Sequence, residues 1–153
     1  MSTAIAPRVV TGHVGLNVSN LTRSIAFYRQ AFGFDELAVN AEGARRFAFL
    51  GFDSGPVLTL WEQSSGEFSA ATPGLHHLSF QVDSVQQVRQ VEAILKQLST
   101  VFAHDGVVAH QEGVASGGIF FADPDGIRLE VFAAVGAEQH QAPAGESPTC
   151  GFF

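Results

Sequence analysis

Two copies of one pattern run through this chain, and the repeat limits the folds available to it. The segment GHVGLNV at 12–18 returns as HHLSFQV at 76–82. The segment FLGFDSGPVLTLW at 49–61 aligns without a gap with FFADPDGIRLEVF at 120–132. In each half an amphipathic helical stretch lies between the two segments. Because all these elements recur in the same order, the sequence predicts two copies of one structural unit.

Each copy is predicted to fold in the order βαβββ. Apolar residues alternate in the predicted strands and recur at helical spacing in the predicted helices. Ser19 or Asn20 can cap the first helix, and Gly33 can end it. Asp83 or Ser84 can cap the second helix. One further strand per copy is expected at about 34–40 and at about 107–112.

The repeat also sets the expected domain organisation. The two modules are expected at about 9–63 and 75–134, within a single domain that spans 1–134. The Ser- and Gly-containing segment at 64–74 is expected to link them. The tail at 135–153 is rich in Ala, Pro and Gly, which is typical of a linker or of disorder. Its terminal aromatic residues leave docking on the body, or on a neighbouring chain, as the alternative.

Composition excludes several classes of partner. The formal net charge of −7 argues against binding to nucleic acid or to an anionic membrane surface. The single cysteine, Cys150, excludes an internal disulfide, and its role is left open. The first residues do not resemble a signal peptide, and no apolar run reaches the length of a membrane span. The sequence therefore predicts a cytoplasmic protein whose partner is a small-molecule substrate.

Three residues with metal-binding side chains share the polar faces of the predicted strands. His13, His77 and Glu130 alternate with apolar neighbours that are expected to pack against the helices. Two imidazoles and one carboxylate can bind a divalent metal and leave coordination positions open, as a catalytic metal requires. The alternative is a pair of cavity histidines hydrogen-bonded to a glutamate. His76 lies on the apolar side and is expected to be structural.

Further residues on these strands are candidates for substrate contact. They are Asn17, Thr59, Trp61, Phe120 and Arg128. Aromatic side chains could form walls for a flat apolar substrate, although most phenylalanines are expected in the core. Arg128 could bind an anionic group, orient Glu130 or lie at the rim. The acids of the ADPDG segment at 122–126 are expected to stabilise a turn.

The segments HVGLNVSNLTRSIAFYRQAFGF at 13–34 and FADPDGIRLEVF at 121–132 resemble the vicinal oxygen chelate superfamily. This superfamily includes glyoxalase I, fosfomycin and bleomycin resistance proteins, methylmalonyl-CoA epimerase and extradiol dioxygenases. The resemblance covers about 9–134. It implies paired βαβββ modules in a cupped eight-stranded mixed sheet with helices on its outer face. It also implies a divalent metal, Fe, Mn, Zn, Ni or Co, held by His13, His77 and Glu130.

Departures from the family pattern bear on the reaction class. The acid that serves as a fourth ligand in glyoxalase I-like members is replaced by Thr59, the repeat partner of Glu130. Glu130 is then the remaining candidate for a catalytic base. It could act as one only by loosening its hold on the metal. An open two-His-one-carboxylate site suits oxygen activation on iron. The resemblance therefore places a dioxygenase slightly ahead of a lyase or isomerase.

Two more expectations follow from the resemblance. The alternative function is that of a metal-free drug- or metabolite-binding protein, like the bleomycin resistance members. A homodimer is expected, because members of the superfamily often pair two chains and sometimes exchange modules between them. The linker at 64–74 is long enough for pairing within or between chains.

Overall fold

The structure is a computed structural model that describes residues 5–143, 149–151 and 153. The first module contains β1 (Val14–Val18), α1 (Leu21–Phe32), β2 (Asp35–Asn40), β3 (Phe47–Phe52) and β4 (Gly55–Glu62). The second contains β5 (Leu78–Val82), α2 (Val85–Gln97), β6 (Val108–Ala109), β7 (Gly117–Ala122) and β8 (Arg128–Ala133). A short 3-10 helix follows at Thr149–Gly151. The α+β class and the repeated βαβββ order are confirmed.

The eight strands form two four-stranded mixed sheets, one in each module. Their strand orders are β1-β4-β3-β2 and β5-β8-β7-β6. In both sheets the first strand pairs in parallel with the fourth, and the other pairs are antiparallel. Gly15 lies opposite Thr59, and Ser79 lies opposite Glu130 at the equivalent register. The strands β1 and β5 are therefore equivalent edge strands.

Residues among the predicted caps mark the start of both helices and the end of α1. Asn20 accepts a hydrogen bond from the backbone N–H of Arg23 at 3.0 Å, and Gly33 ends α1 with a φ of +69°. Ser84 accepts from the backbone N–H of Gln87 at 3.3 Å. Asn20 and Ser84 are thus the capping residues among the alternatives that the sequence left open.

A single hydrophobic core serves both modules. The helices contact each other, α1 packs on β3 and β4, and α2 packs on β5, β7 and β8. The ring of Phe32 in α1 lies 4.6 Å from that of Phe80 in β5 and 6.5 Å from that of Phe121 in β7. Aromatic side chains of the first module therefore complete the core of the second.

The turn between β7 and β8 ties the second module to the first. Asp123 and Asp125 in this turn are buried. The hydroxyl of Tyr28 donates to Asp123 Oδ2 at 2.8 Å. The guanidinium of Arg23 pairs with Asp125 Oδ1 at 2.6 Å, and the backbone N–H of Ser19 donates to Asp125 Oδ2 at 3.0 Å. These acids are turn residues, as predicted, and they also join the two modules.

The first strand is shorter than the sequence predicts. The alternation of apolar residues extends back to Val10, whereas β1 begins at Val14. Residues 5–13 are exposed, and in the described part of the chain they pair with no strand. Alternation alone does not make a strand, because the backbone N–H and C=O groups need a partner.

The strand predicted at 107–112 is reduced to Val108–Ala109. The chain turns immediately afterwards: the N–H of Val114 donates to the carbonyl of Gln111 at 3.2 Å, and Gly113 has a φ of +76°. This turn falls in the second module, which has seven more residues than the first between its opening histidine and its β7–β8 hairpin. No helix among the described residues is long and apolar enough to span a membrane.

Candidate metal centre

A buried carboxylate lies between two imidazoles on the second sheet. Glu130 in β8 is 3% exposed. Its Oε2 lies 3.4 Å from Nε2 of His77, and its Oε1 lies 2.5 Å from Nε2 of His110. His77 immediately precedes β5, whose parallel pairing with β8 brings the two side chains together. Two of the three predicted metal ligands are therefore in contact within the chain.

His110 was not among the residues predicted for the site. It follows β6 directly, and its Nδ1 lies 2.8 Å from the hydroxyl of Ser116. Its backbone N–H also donates to the carbonyl of Ser116 at 3.0 Å. A sequence signal existed, because a strand at 107–112 places His110 on the same face as Val108. The serine and the carboxylate together fix the orientation of this imidazole.

The surroundings of His77 favour its neutral form. Partial burial lowers the pKa of His77 below its usual value of 6.5, against the opposing effect of Glu130. Nδ1 of His77 lies 2.8 Å from Nδ1 of His76, so one of these nitrogens carries the shared proton. His76 thus orients the ring of its neighbour. The neutral imidazole is the form that binds metals.

His13, the third predicted ligand, lies on the other module. It is exposed and directly precedes β1, the edge strand of the first sheet. The residues that the structure describes contain no group of three or more His, Cys, Asp or Glu side chains placed to hold a metal. The chain therefore assembles His77 with Glu130 and leaves His13 apart from them.

Two of the predicted substrate residues lie beside the His77–Glu130 pair. Phe120 in β7 is directly opposite Glu130 and is completely buried. Its ring centroid lies 6.2 Å from that of His110. The guanidinium of Arg128 lies 5.9 Å from the ring centroid of Phe68 and shares a strand face with Glu130. An apolar wall and a cation thus flank the carboxylate.

The other three predicted substrate residues lie on the first sheet. Asn17 in β1 accepts a hydrogen bond from the backbone N–H of Gln63 at 3.0 Å. Thr59 in β4 is buried, and its hydroxyl accepts from the indole N–H of Trp61 at 3.0 Å. Trp61 belongs to an aromatic cluster with Phe47 and Phe49, at centroid distances of 5.4 and 5.9 Å. These three residues thus belong to a different sheet from Glu130.

The C-terminal tail docks on the body at its described residues. Thr149 is buried, and its backbone N–H donates to the carbonyl of His110 at 2.8 Å. The ring centroid of Phe153 lies 5.5 Å from that of His77. Residues 144–148 and 152, and the side chain of Cys150, lie outside the described residues. The expectation of a loose tail is therefore wrong at Thr149 and Phe153.

The chemistry of the donors fits a divalent metal. Two donor atoms bound to one ion at about 2.0–2.2 Å lie about 3.0–3.4 Å apart. The separation of 3.4 Å between His77 Nε2 and Glu130 Oε2 falls in that range. His110 supports the carboxylate from its other oxygen, as a neighbour of a metal ligand commonly does. The residues present can thus supply a nitrogen and an oxygen ligand from adjacent strands.

Comparisons with known proteins agree with this architecture. The profile of the Glyoxalase/Bleomycin resistance protein/Dioxygenase superfamily matches residues 11–131. A search of curated proteins finds no match. A glyoxylase/bleomycin resistance protein/dioxygenase domain from Frankia sp. EAN1pec is 27% identical, with a TM-score of 0.71. The alignment covers 83% of this chain and 98% of that one.

Two more solved structures share the fold. A fosfomycin resistance protein, FosX, from Listeria monocytogenes in complex with Mn(II) and sulfate is 20% identical, with a TM-score of 0.62. That alignment covers 87% of this chain and 98% of the other. A glyoxalase/dioxygenase from Nostoc punctiforme is 20% identical with a TM-score of 0.62, over 84% of this chain and 98% of that one.

Proposed function

This chain belongs to the Glyoxalase/Bleomycin resistance protein/Dioxygenase superfamily, and we propose that it is a divalent-metal-dependent enzyme. Its substrate is a small molecule that chelates the metal through two neighbouring oxygens. His13, His77 and Glu130 are the ligands, and Glu130 is also the candidate catalytic residue. The metal, when bound, acts as a Lewis acid on a substrate oxygen or, as iron, activates dioxygen.

The observation that carries this proposal is the buried carboxylate of Glu130 between two imidazoles. A buried carboxylate is costly unless charged or hydrogen-bonding partners compensate it. His77 directs Nε2 at one oxygen, and His110 occupies the other. A cation bound between His77 and Glu130 would complete this compensation. The same arrangement leaves the remaining coordination positions to His13 and to substrate.

We propose that His13 reaches the site from a second copy of the chain. The strand that it precedes, β1, is an edge strand, as is β5 beside His77. Edge strands have unpaired backbone groups available to another chain. Exposed Val9 and Val10, just before His13, add apolar surface that a homodimer would cover. The site then draws on the first module of one chain and the second module of its partner.

Complementation tests this assembly. His13→Ala and His77→Ala chains carrying different tags are coexpressed, and the mixed dimer is isolated. If each site draws on both chains, one of the two sites in the mixed dimer is intact and binds metal. If the ligands come from one chain, both sites lack a ligand and metal binding is lost. A sedimentation mass of one chain for the wild type would contradict the dimer itself.

Each remaining residue has a part in the proposed reaction. Phe120 provides an apolar wall, and Arg128 provides a cation for an anionic substituent of the substrate. Thr59 and Trp61, with Asn17, would line the opposite wall from the first module. Because Thr59 cannot act as a metal-bound base, a proton-transfer reaction with a metal-bound base would require Glu130 to loosen its hold on the metal. We therefore place a dioxygenase slightly ahead of a lyase or isomerase.

Oxygen uptake tests the function. The protein is loaded with Fe(II) without oxygen and then mixed with catechols and 2-oxo acids in oxygenated buffer. We expect uptake that a chelator abolishes and that Glu130→Gln reduces, with Asp53→Asn as a matched carboxylate control. If iron binds no better than zinc, manganese or nickel, and no substrate drives uptake, the dioxygenase class is contradicted. Lyase, isomerase or transferase chemistry would then take its place.

A metal-free binding protein is the second candidate. The aromatic cluster of Phe47, Phe49 and Trp61 favours it, because such a surface binds flat apolar ligands without a metal. This candidate predicts that a bound ligand is recovered intact and that a chelator does not change its affinity. Chelator-sensitive turnover would exclude it.

A further inference from the structure

The ring of Phe153 packs against residues of the candidate site, and this packing position is called its seat. Its centroid lies 5.5 Å from that of His77, with the planes inclined by 35°, and 5.4 Å from that of Phe120, with the planes at 78°. The guanidinium carbon of Arg128 lies 5.5 Å from the same ring centroid. The ring centroid of His76 lies 6.3 Å from that of Phe153, with the planes at 78°. A proposed metal ligand and both substrate-contact candidates of the second sheet thus hold the ring.

This placement is anchored by hydrogen bonds nearby. Thr149 is 3% exposed, and its hydroxyl donates to the carbonyl of Ala109 at 2.7 Å. Its backbone N–H donates to the carbonyl of His110, the residue that supports Glu130. The 3-10 turn at Thr149–Gly151 follows this anchor. The tail is therefore fixed beside β6, a few residues before Phe153.

The seat is chemically specific for an aromatic ring. A guanidinium near a ring face and rings inclined to its edges are the arrangements that aromatic quadrupoles favour. Two other cavities, of about 600 and 400 Å³, are lined by none of the four residues in contact with the ring. The ring of Phe153 therefore packs against the candidate site residues and not in either of these cavities.

We propose that Phe153 occupies the place of an aromatic substrate, so that the tail competes with that substrate for the site. The inference rests on the proposed function, and it narrows the substrate class to an aryl compound with two neighbouring oxygens. The aryl ring would replace the ring of Phe153 between Phe120 and Arg128, and its oxygens would face His77 and Glu130. A tethered ring competes well, because its effective concentration is on the order of millimolar.

Ligand binding to the metal-free protein tests whether an aromatic ligand replaces the ring of Phe153. The probe is 4-nitrocatechol, titrated by calorimetry in the presence of a chelator. Because occupied molecules cannot bind the probe, Phe153→Ala should tighten its binding by about 3–10-fold. Thr149→Val, which loosens the anchor, should tighten it by a smaller factor. Phe52→Ala, an exposed aromatic residue of the first module, is the matched control and should change nothing.

The other outcomes contradict the inference. Unchanged binding in Phe153→Ala would show that the ring does not compete. Weaker binding would show that the ring is a wall of the site rather than an occupant. trans-1,2-Cyclohexanediol, which has two neighbouring oxygens but no aromatic ring, should bind Phe153→Ala more weakly than 4-nitrocatechol does, and equal affinities would remove the aromatic specificity. Metal content is measured separately, so that failure of ring exchange and failure of the metal site are distinguishable.

Discussion

The two modules share one backbone but differ in chemistry at the same register. Thr59 in β4 and Glu130 in β8 are repeat partners, opposite Gly15 and Ser79 respectively. Thr59 accepts a hydrogen bond from the indole of Trp61, which lies in an aromatic cluster. Glu130 instead contacts two imidazoles. The comparison teaches that the repeat determines where side chains point, whereas the residue at a single position determines which groups it contacts.

The hairpin turns differ in a second way. In the first module the turn residues Asp53 and Ser54 are exposed. In the second module Asp123 and Asp125 are buried and accept hydrogen bonds from α1. The second module therefore contains the candidate site and also the polar contacts that join it to the first.

Making the modules alike at the metal-ligand position should have the largest effect. Glu130→Thr gives the second module the residue of the first. It removes a proposed ligand outright, so metal affinity should fall by more than the roughly 10–100-fold loss that follows removal of a supporting residue. Titration with Mn(II) measures the change. Thr59→Ser is the matched control, and metal affinity that survives Glu130→Thr would contradict the assignment.

Removing the buried acid from the second turn should destabilise the protein. Asp123 accepts from Tyr28 and from the backbone N–H groups of Asp125 and Ile127, each at 2.8 Å. Asp123→Ala leaves these donors without a partner, which should cost about 2–4 kcal/mol in the free energy of unfolding. Denaturant unfolding measures it. Asp53→Ala in the exposed turn should change stability by no more than about 0.5 kcal/mol, and equal effects would contradict the difference between the turns.

An imidazole, that of His110, supports Glu130, whereas Thr59 accepts a hydrogen bond from Trp61 of its own strand. His110→Ala should lower metal affinity by about 10–100-fold without removing a ligand. His110→Asn retains a hydrogen-bond donor and should recover part of the affinity. His140→Ala, outside the site, is the control. An unchanged affinity in His110→Ala would show that Glu130 needs no support.

The contact of Tyr28 with Asp123, which joins the two modules, should have a smaller effect, visible in the pH dependence of the free energy of unfolding. Burial, followed by Asp123, raises the pKa of Tyr28 well above its usual value of 10.0. Below pH 10 both states keep the phenolic proton, so the contribution of Tyr28 to stability is constant. Above pH 10 the unfolded state loses the proton first, so the free energy of unfolding falls by up to about 1.4 kcal/mol per pH unit. We do not expect Tyr28 to contribute to any loss of stability at acid pH.

Comparison with Tyr28→Phe isolates that effect. The chain has one tyrosine, so phenolate absorbance reports this group alone. The wild type should show the phenolate only on unfolding, and the alkaline loss of stability should be smaller in Tyr28→Phe. A phenolate that forms in the folded protein near pH 10 would contradict the buried contact.

Most of the fold was predictable because its signals are local and occur twice. Alternation placed Leu16, Val18, Leu58 and Leu60 on the buried faces, as the structure confirms. Strand ends were less predictable, because they depend on partners distant in sequence. Val10 continues the alternation of β1 but has no described strand to pair with. The turn after β6 likewise ends, at Ala109, a strand that was expected to reach about 112.

The site was only partly predictable for a similar reason. The repeat identified His77 and Glu130, because equivalent strands place both on adjacent positions of one sheet. His110 lies in the half that carries the additional residues, so no repeat partner marked it. Phe153 contacts the site through tertiary docking of the tail, which composition alone does not indicate.

The central claim is that His77 and Glu130 hold a divalent metal, and metal content tests it most directly. The protein is purified without chelator, and metal is measured per chain for the wild type, His77→Ala and the control His140→Ala. We predict stoichiometric metal in the wild type and in His140→Ala, and its loss in His77→Ala with folding retained. Absence of stoichiometric metal from the wild type, with metal content unchanged in His77→Ala, would contradict the account.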